Sequence, residues 1–177
     1  MLTEGHASRA FALLDEIGLL KEVLPEIDAM KGVEQPPDFH PEGDVFVHTL
    51  LLLEKLPHPC TPTLAWGALL HDVGKPPTFR RAPDRIRFDN HVAVGVRMAE
   101  EICRRLRFSN DDTDQILALI DNHMAMLDPS ANLPARRCRK LRSLSTDDEA
   151  CCRPSKVKFS GFLQGTELSK YRMVEGL

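Results

Sequence analysis

The apolar run Leu64-Ala65-Trp66-Gly67-Ala68-Leu69-Leu70 reads as a buried helix, and it ends in His71-Asp72 before Val73-Gly74-Lys75-Pro76 closes it. Two adjacent metal-capable side chains at the end of a buried helix have few structural uses. Burying an imidazole beside a carboxylate without a partner costs several kcal/mol, so the pair requires either a strong ion pair or a metal. Three more histidines, His48, His91 and His123, stand at helical positions around it. That pattern points to a metal site.

A chain of 177 residues with 42% apolar content buries one substantial core. No apolar stretch approaches the roughly 20 residues of a membrane span, and the opening residues lack the basic and apolar regions of a signal peptide. A soluble, cytoplasmic protein with no membrane partner is expected. Cys60, Cys103, Cys138, Cys151 and Cys152 form no C-x-x-C pair and read as reduced thiols. Charge is uneven. Residues 1–128 hold 13 Lys and Arg against 21 Asp and Glu, a net of −8, whereas residues 129–177 hold 10 against 5, a net of +5. The basic tail suits phosphate backbones or simply a solvated segment, since Arg136, Arg137, Arg139, Lys140 and Arg142 are not interleaved with aromatic residues.

The periodicity predicts helices and loops. Ala7 to Ile17 carries apolar residues at helical spacing, and Leu19 to Leu24 adds a short turn ending at Pro25, with a loop beyond. Gly32, Pro36, Pro37 and Pro41 exclude a helix between Lys31 and Gly43. Asp44 is the expected N-cap of a helix from Val45 to Lys55 that carries His48. Thr61 or Thr63 starts the helix that delivers His71-Asp72. Thr78-Phe79-Arg80 and Arg85-Ile86-Arg87-Phe88 flank the turn formers Ala82-Pro83-Asp84, which predicts a small β-ribbon. His91 opens a helix with a one-sided stripe of Val92, Val96, Ala99, Ile102, Cys103 and Leu106. Asn110 is read as the cap of the next helix, which carries His123 and stops near Pro129. Cys138 to Leu144 gives a weak helical signal.

Imidazole and carboxylate together suit Mn, Fe, Co, Ni or Zn, with Fe or Mn fitting best and Mg less suited because it prefers all-oxygen sites. His71 and Asp72 lie about 100° apart around a helix, so one ion takes both only where the helix ends, and Gly74 and Pro76 supply that ending. Asp72 is the natural bridging ligand, with His48 and His71 on one ion and His91 and His123 available to a second. His91 or His123 taken alone reads more readily as a hydrogen-bonded core histidine than as a ligand. Asp121, about 200° from His123 around the helix, is no co-ligand. Lys75 either neutralises a phosphate oxygen at the site or answers the dipole at a helix end. His6, His40 and His58 are expected to be exposed, and only His40, just ahead of the His48 helix, is worth watching.

His48 followed by Leu69-Leu70-His71-Asp72-Val73-Gly74-Lys75-Pro76 resembles the H…HD pattern of the HD superfamily of metal-dependent phosphohydrolases. Further segments resemble the HD half of bacterial tRNA nucleotidyltransferases and poly(A) polymerase-like proteins. They are residues 34–45 (EQPPDFHPEGDV), Arg87-Phe88-Asp89-Asn90-His91 with Gly95, Leu106-Arg107-Phe108-Ser109-Asn110, and Asn122-His123-Met124. The likeness covers roughly residues 1–128. It implies an all-α HD-domain bundle with the β-ribbon inserted after the HD helix, and a metal site between helices. It also implies His48, His71 and Asp72 as ligands, with His91 and His123 as additional ones.

Two departures qualify what the likeness implies. The nucleotidyltransferase half has no counterpart in these residues, so nucleotide addition by this chain alone is not expected. Such proteins also take a further Asp from a downstream helix, yet the pattern is lost after Asp128, where Asp147 and Asp148 are the only acidic pair in reach. A frame change near codon 128, leaving residues 129–177 as an unrelated basic segment, is one explanation. The expected function is hydrolysis of a phosphate ester, in a nucleotide or at an RNA end, by a metal-activated water, with Asp72 and Lys75 as the catalytic residues. The alternatives are a module that binds nucleotide or RNA without catalysis, and an inactive remnant.

Overall fold

A computed structural model describes residues 2–36, 40–57 and 59–127. His58, the Cys138 to Leu144 helix, Asp147, Asp148 and the basic segment 129–177 lie outside the described residues. Those that are described form α1 (Ala7–Glu16), α2 (Leu19–Val23), α3 (Pro25–Asp28), α4 (Val45–Lys55), α5 (Pro62–Leu70), α6 (Lys75–Thr78), β1 (Phe79–Arg81), β2 (Ile86–Phe88), α7 (His91–Arg105) and α8 (Asn110–Leu127). The architecture is all-α with one small antiparallel ribbon. No helix among these residues is long and apolar enough to cross a membrane.

Helix α5 is the axis of the bundle, packed between α4 and α8, while α7 lies against α8 and α1 against α4. Its sequence explains the position, because Ala65, Ala68, Leu69 and Leu70 are all buried and no polar face is presented. Gly67 lets α8 come close. A Cβ at that position would lie 2.6 Å from Leu119 Cδ1. The core joins these residues to Leu20, Ile27, Met30, Val45, Leu53, Ile102, Ile116 and Ile120.

Local chemistry sets most of the boundaries. Asp44 Oδ1 accepts from Val47 N at 2.9 Å, as an N-cap should, and Thr61 does the same for α5 by accepting from Leu64 N. The short helix α2 ends before Pro25 as expected, but Pro25 then opens α3, since a proline at the first helical position loses no hydrogen bond. The loop expected there is therefore a further helical turn. Ser109, not Asn110, caps α8: its Oγ accepts from Asp112 N at 3.1 Å and donates to Asp112 Oδ2 at 2.7 Å. Asn110 is already the first helical residue.

The end of α5 also differs from expectation. The chain does not leave helical geometry at Gly74, which has φ −83°, and Lys75 at once begins α6. What requires a glycine there is space. A Cβ on residue 74 would lie 2.1 Å from the His91 carbonyl oxygen and 2.6 Å from Gly95 N, so this turn touches the backbone of α7 directly. The ribbon pairs Phe79 with Phe88, Arg80 with Arg87 and Arg81 with Ile86, starting one residue later than the sequence suggests.

Two substitutions test these contacts. Gly74→Ala is expected to lower unfolding free energy in urea by about 2–3 kcal/mol, because backbone rather than a flexible side chain must give way. Ser109→Ala is expected to cost about 1 kcal/mol and Asn110→Ala much less, the reverse of the ranking the sequence suggests.

Candidate metal centre

The fold brings five side chains from four segments distant in sequence to one buried point. His71 and Asp72 stand at the end of α5, His48 near the start of α4, His91 at the first position of α7 and His123 in α8. Asp72, only 2% exposed, is the centre. Its Oδ2 lies 2.9 Å from His71 Nε2 and 4.0 Å from His48 Nε2, and its Oδ1 lies 3.9 Å from His91 Nε2 and 3.8 Å from His123 Nε2. Two groups of donors result, His48, His71, Asp72 and Asp72, His91, His123, each with ligand atoms within 4.8 Å of one another. This is a His/Asp cluster able to hold a divalent metal.

The outer ring nitrogens decide what the inner ones can do. His71 Nδ1 bonds Ala68 O at 2.8 Å, His91 Nδ1 bonds Phe88 O at 2.9 Å and His123 Nδ1 bonds Ile120 O at 2.6 Å. A carbonyl oxygen only accepts, so each of these Nδ1 atoms carries the proton. His48 Nδ1 meets the carboxylate of Glu42 instead. In a neutral ring, Nε2 is then a bare lone pair aimed at an anionic carboxylate. Lone pairs so placed repel unless a proton or a metal cation lies among them. Hydrogen bonding of the outer nitrogen to a carbonyl or carboxylate is the usual way that metal-ligating imidazoles are oriented.

Burial and charge reinforce the pattern. Burial pushes Asp72 up, yet His71, Lys75 and His123 beside it outweigh that and hold its carboxyl well below the usual carboxylate range. Burial and the neighbouring His71 push His123 down to about 4. His48 is also pushed down by burial, with Glu42 acting in the opposite direction. Neutral imidazoles are the form that binds metal. Among the described residues, the buried side-chain atoms without a hydrogen-bond partner include His91 Nε2 and His123 Nε2, both facing Asp72. A cation would satisfy both.

The structure thus draws together His48, His71, Asp72, His91 and His123. Lys75 belongs to the same cluster, since it is buried, its Nζ lies 2.8 Å from Asp72 Oδ2 and 2.5 Å from Gln35 Oε1, and it stands 5.3 Å from the centre of the Phe88 ring. It is not a cation at a helix end, because it opens α6. Asp121 is exposed while His123 is buried, as the helical angle between them requires. His6 is exposed, but His40 is only partly so, with its ring 4.7 Å from that of His48. Sequence reasoning missed Glu42 and Gln35, two buried or nearly buried groups in the breaker-rich loop. Their one available signal was their presence in the 34–45 segment that carries the family likeness.

Residues 45–153 match the family model described as HD domain, and residues 1–31 match one described as "Probable RNA and SrmB- binding site of polymerase A". The multifunctional CCA protein of Ralstonia nicotianae is 40% identical over 123 residues, which cover 69% of this chain and 28% of that protein. The A-adding tRNA nucleotidyltransferase of Deinococcus radiodurans is 37% identical over 142 residues, 77% of this chain and 32% of that one. The multifunctional CCA protein of Cupriavidus pinatubonensis is 30% identical over 187 residues, 99% of this chain and 44% of that one. The chain therefore spans less than half the length of these relatives. Both the HD match and the Cupriavidus alignment reach past residue 128, where the sequence reading loses the pattern. With the HD model matched over more than half its length and four imidazoles converging on the carboxylate of its His-Asp pair, this chain belongs to the HD domain family.

Proposed function

We propose that this chain is a metal-dependent phosphohydrolase acting on a phosphate ester, a nucleotide or an RNA end. In this reading His48, His71, Asp72, His91 and His123 hold one or two divalent ions, with Asp72 between the two donor groups. The observation that carries it is the set of inward-facing Nε2 lone pairs around Asp72, two of them buried and unpartnered. Nitrogen donors around a carboxylate suit Mn, Fe, Co, Ni or Zn better than Mg. Such an ion supplies Lewis acidity, lowering the pKa of a water and drawing charge from a phosphoryl oxygen.

The protein's own residues do the rest. Carbonyls of Ala68, Phe88 and Ile120 fix the tautomer and direction of three rings before any substrate arrives. Asp72 stays ionised in a buried setting because His71 and Lys75 adjoin it. Lys75 places its Nζ beside the donors, suited to a phosphate oxygen. No side-chain nucleophile is required. A second reading, a module that binds RNA or nucleotide without cleaving it, is favoured by the match of residues 1–31 to an RNA-binding family model. The relatives named for tRNA nucleotidyl transfer fit either reading.

Purified full-length chain supplied with Mn, Co or Ni is expected to hydrolyse cyclic nucleotides, nucleoside monophosphates or a generic phosphodiester, and to stop when a chelator is added. His71→Ala and Asp72→Ala should each lower the rate about a hundredfold or more. Unchanged rates in both variants would remove the metal centre from the reaction. RNA affinity that is indifferent to chelator and falls steeply with salt would instead establish the binding module.

The low proton affinity of His123 predicts a pH dependence of folding. Its folded value of about 4 lies below the ordinary value of 6.5, so the fold favours the neutral ring. That contribution is full above pH 6.5 and is lost as pH falls from 6.5 towards 4, an effect of about 3 kcal/mol. Urea titrations of chelator-treated protein should show this loss, and His123→Gln should flatten it.

A further inference from the structure

The loop ahead of α4 contributes a carboxylate, Glu42, that is not among the proposed metal ligands. Glu42 has a side chain only 11% exposed and lies between two imidazoles. Its Oε1 is 3.1 Å from His40 Nδ1 and in closer contact with His48 Nδ1. The His40 ring stands edge-on to His48, at an interplanar angle of 87°. Backbone ties hold the loop in place: Gln35 N donates to Gly43 O at 3.0 Å, Val45 N donates to Val33 O at 3.1 Å, and Gly32 N donates to Asp44 Oδ2 at 2.7 Å.

His48 differs from the other three rings in where its outer partner comes from. His71, His91 and His123 each use the carbonyl three residues earlier, a neutral acceptor supplied by the local backbone. Near the start of α4 the corresponding partner is Glu42, six residues earlier and outside the helix, and it is charged. A hydrogen bond to an anionic acceptor is roughly twice as strong as a neutral one and draws the Nδ1 proton further from the ring. Nε2 becomes a correspondingly better donor to a cation.

We propose that Glu42 is the positioning residue for His48. It fixes the Nδ1–H tautomer, turns Nε2 towards Asp72 and strengthens it as a ligand, while His40 shares the same carboxylate oxygen. The effect on the tautomer stands alone; the effect on metal affinity rests on the metal reading above.

The test uses the full-length chain and two readouts. Imidazole nitrogen NMR of metal-free protein should show His48 protonated at Nδ1 in the parent. In Glu42→Ala the two tautomers should mix, whereas Glu42→Gln, whose amide oxygen still accepts, should keep the parent form. Affinity for Co should fall about 10–100-fold in Glu42→Ala and less in Glu42→Gln. His40→Ala should keep the tautomer and weaken Co binding less than Glu42→Ala does. A parent protein with His48 protonated at Nε2 overturns the proposal. So does a folded Glu42→Ala with the parent's tautomer and affinity. If the alanine variant does not fold, loss of the Nδ1–H tautomer in Glu42→Gln overturns it. A parent that shows the tautomer response but binds no Co refutes the metal reading and leaves the positioning role standing.

Discussion

Everything distinctive about this molecule depends on hydrogen bonds made by the outer nitrogens of four imidazoles. Each ring could in principle present either nitrogen to the interior. Because Nδ1 is engaged by Ala68 O, Phe88 O, Ile120 O or Glu42, Nε2 faces Asp72 in every case. The result is an interior point surrounded by acceptors, which is costly in an ordinary protein core. The local backbone makes it repeatable, through helical carbonyls of α5 and α8 for His71 and His123 and through the last carbonyl of β2 for His91. An imidazole that bends back onto the carbonyl three residues earlier needs no partner from elsewhere, so a single histidine on each of three segments suffices to build most of the cluster.

The bundle then has to hold the rings within a few ångströms, and it does so by close backbone approach. At Gly67 the space a Cβ would take is filled by Leu119, which draws α8 and its His123 towards α5. At Gly74 the turn after Asp72 meets the His91 carbonyl and Gly95, which brings α7 and its His91 to the same end. Both glycines serve proximity; neither has positive φ. Packing and site are therefore the same feature seen at two scales, since the contacts that seat α7 and α8 are those that place their histidines opposite Asp72.

Much of this was legible in the sequence because it is written in period and spacing. The α4, α7 and α8 histidines announced themselves by position on amphipathic or apolar helices, and the cap at Asp44 followed from its chemistry. What escaped had no period. Glu42 and Gln35 lie in a segment whose prolines and glycines say only that it is not a helix, and nothing local tells that their side chains turn inward. The role of Gly74 was misread for a related reason: a glycine near a helix end suggests a backbone reversal, whereas the constraint here comes from α7, seventeen residues away. Ser109 and Asn110 are both good caps, and a choice between neighbours of equal propensity is made by geometry alone.

Lys75 pairs with Asp72, so an ammonium and any divalent ion compete for the same carboxylate. Lys75 Nζ lies on Oδ2, the oxygen nearer His71 and His48, while Oδ1 faces His91 and His123. The two halves of the cluster are therefore electrostatically unequal. A cation joining the His48–His71 half meets a positive charge already in place, whereas one joining the His91–His123 half meets an oxygen with no ammonium on it. Gln35 Oε1 and the face of Phe88 give Lys75 other partners, so it can yield Oδ2 without becoming an unpaired buried charge. In the proposed hydrolase this leaves Lys75, buried beside the cluster, placed to meet a phosphate oxygen.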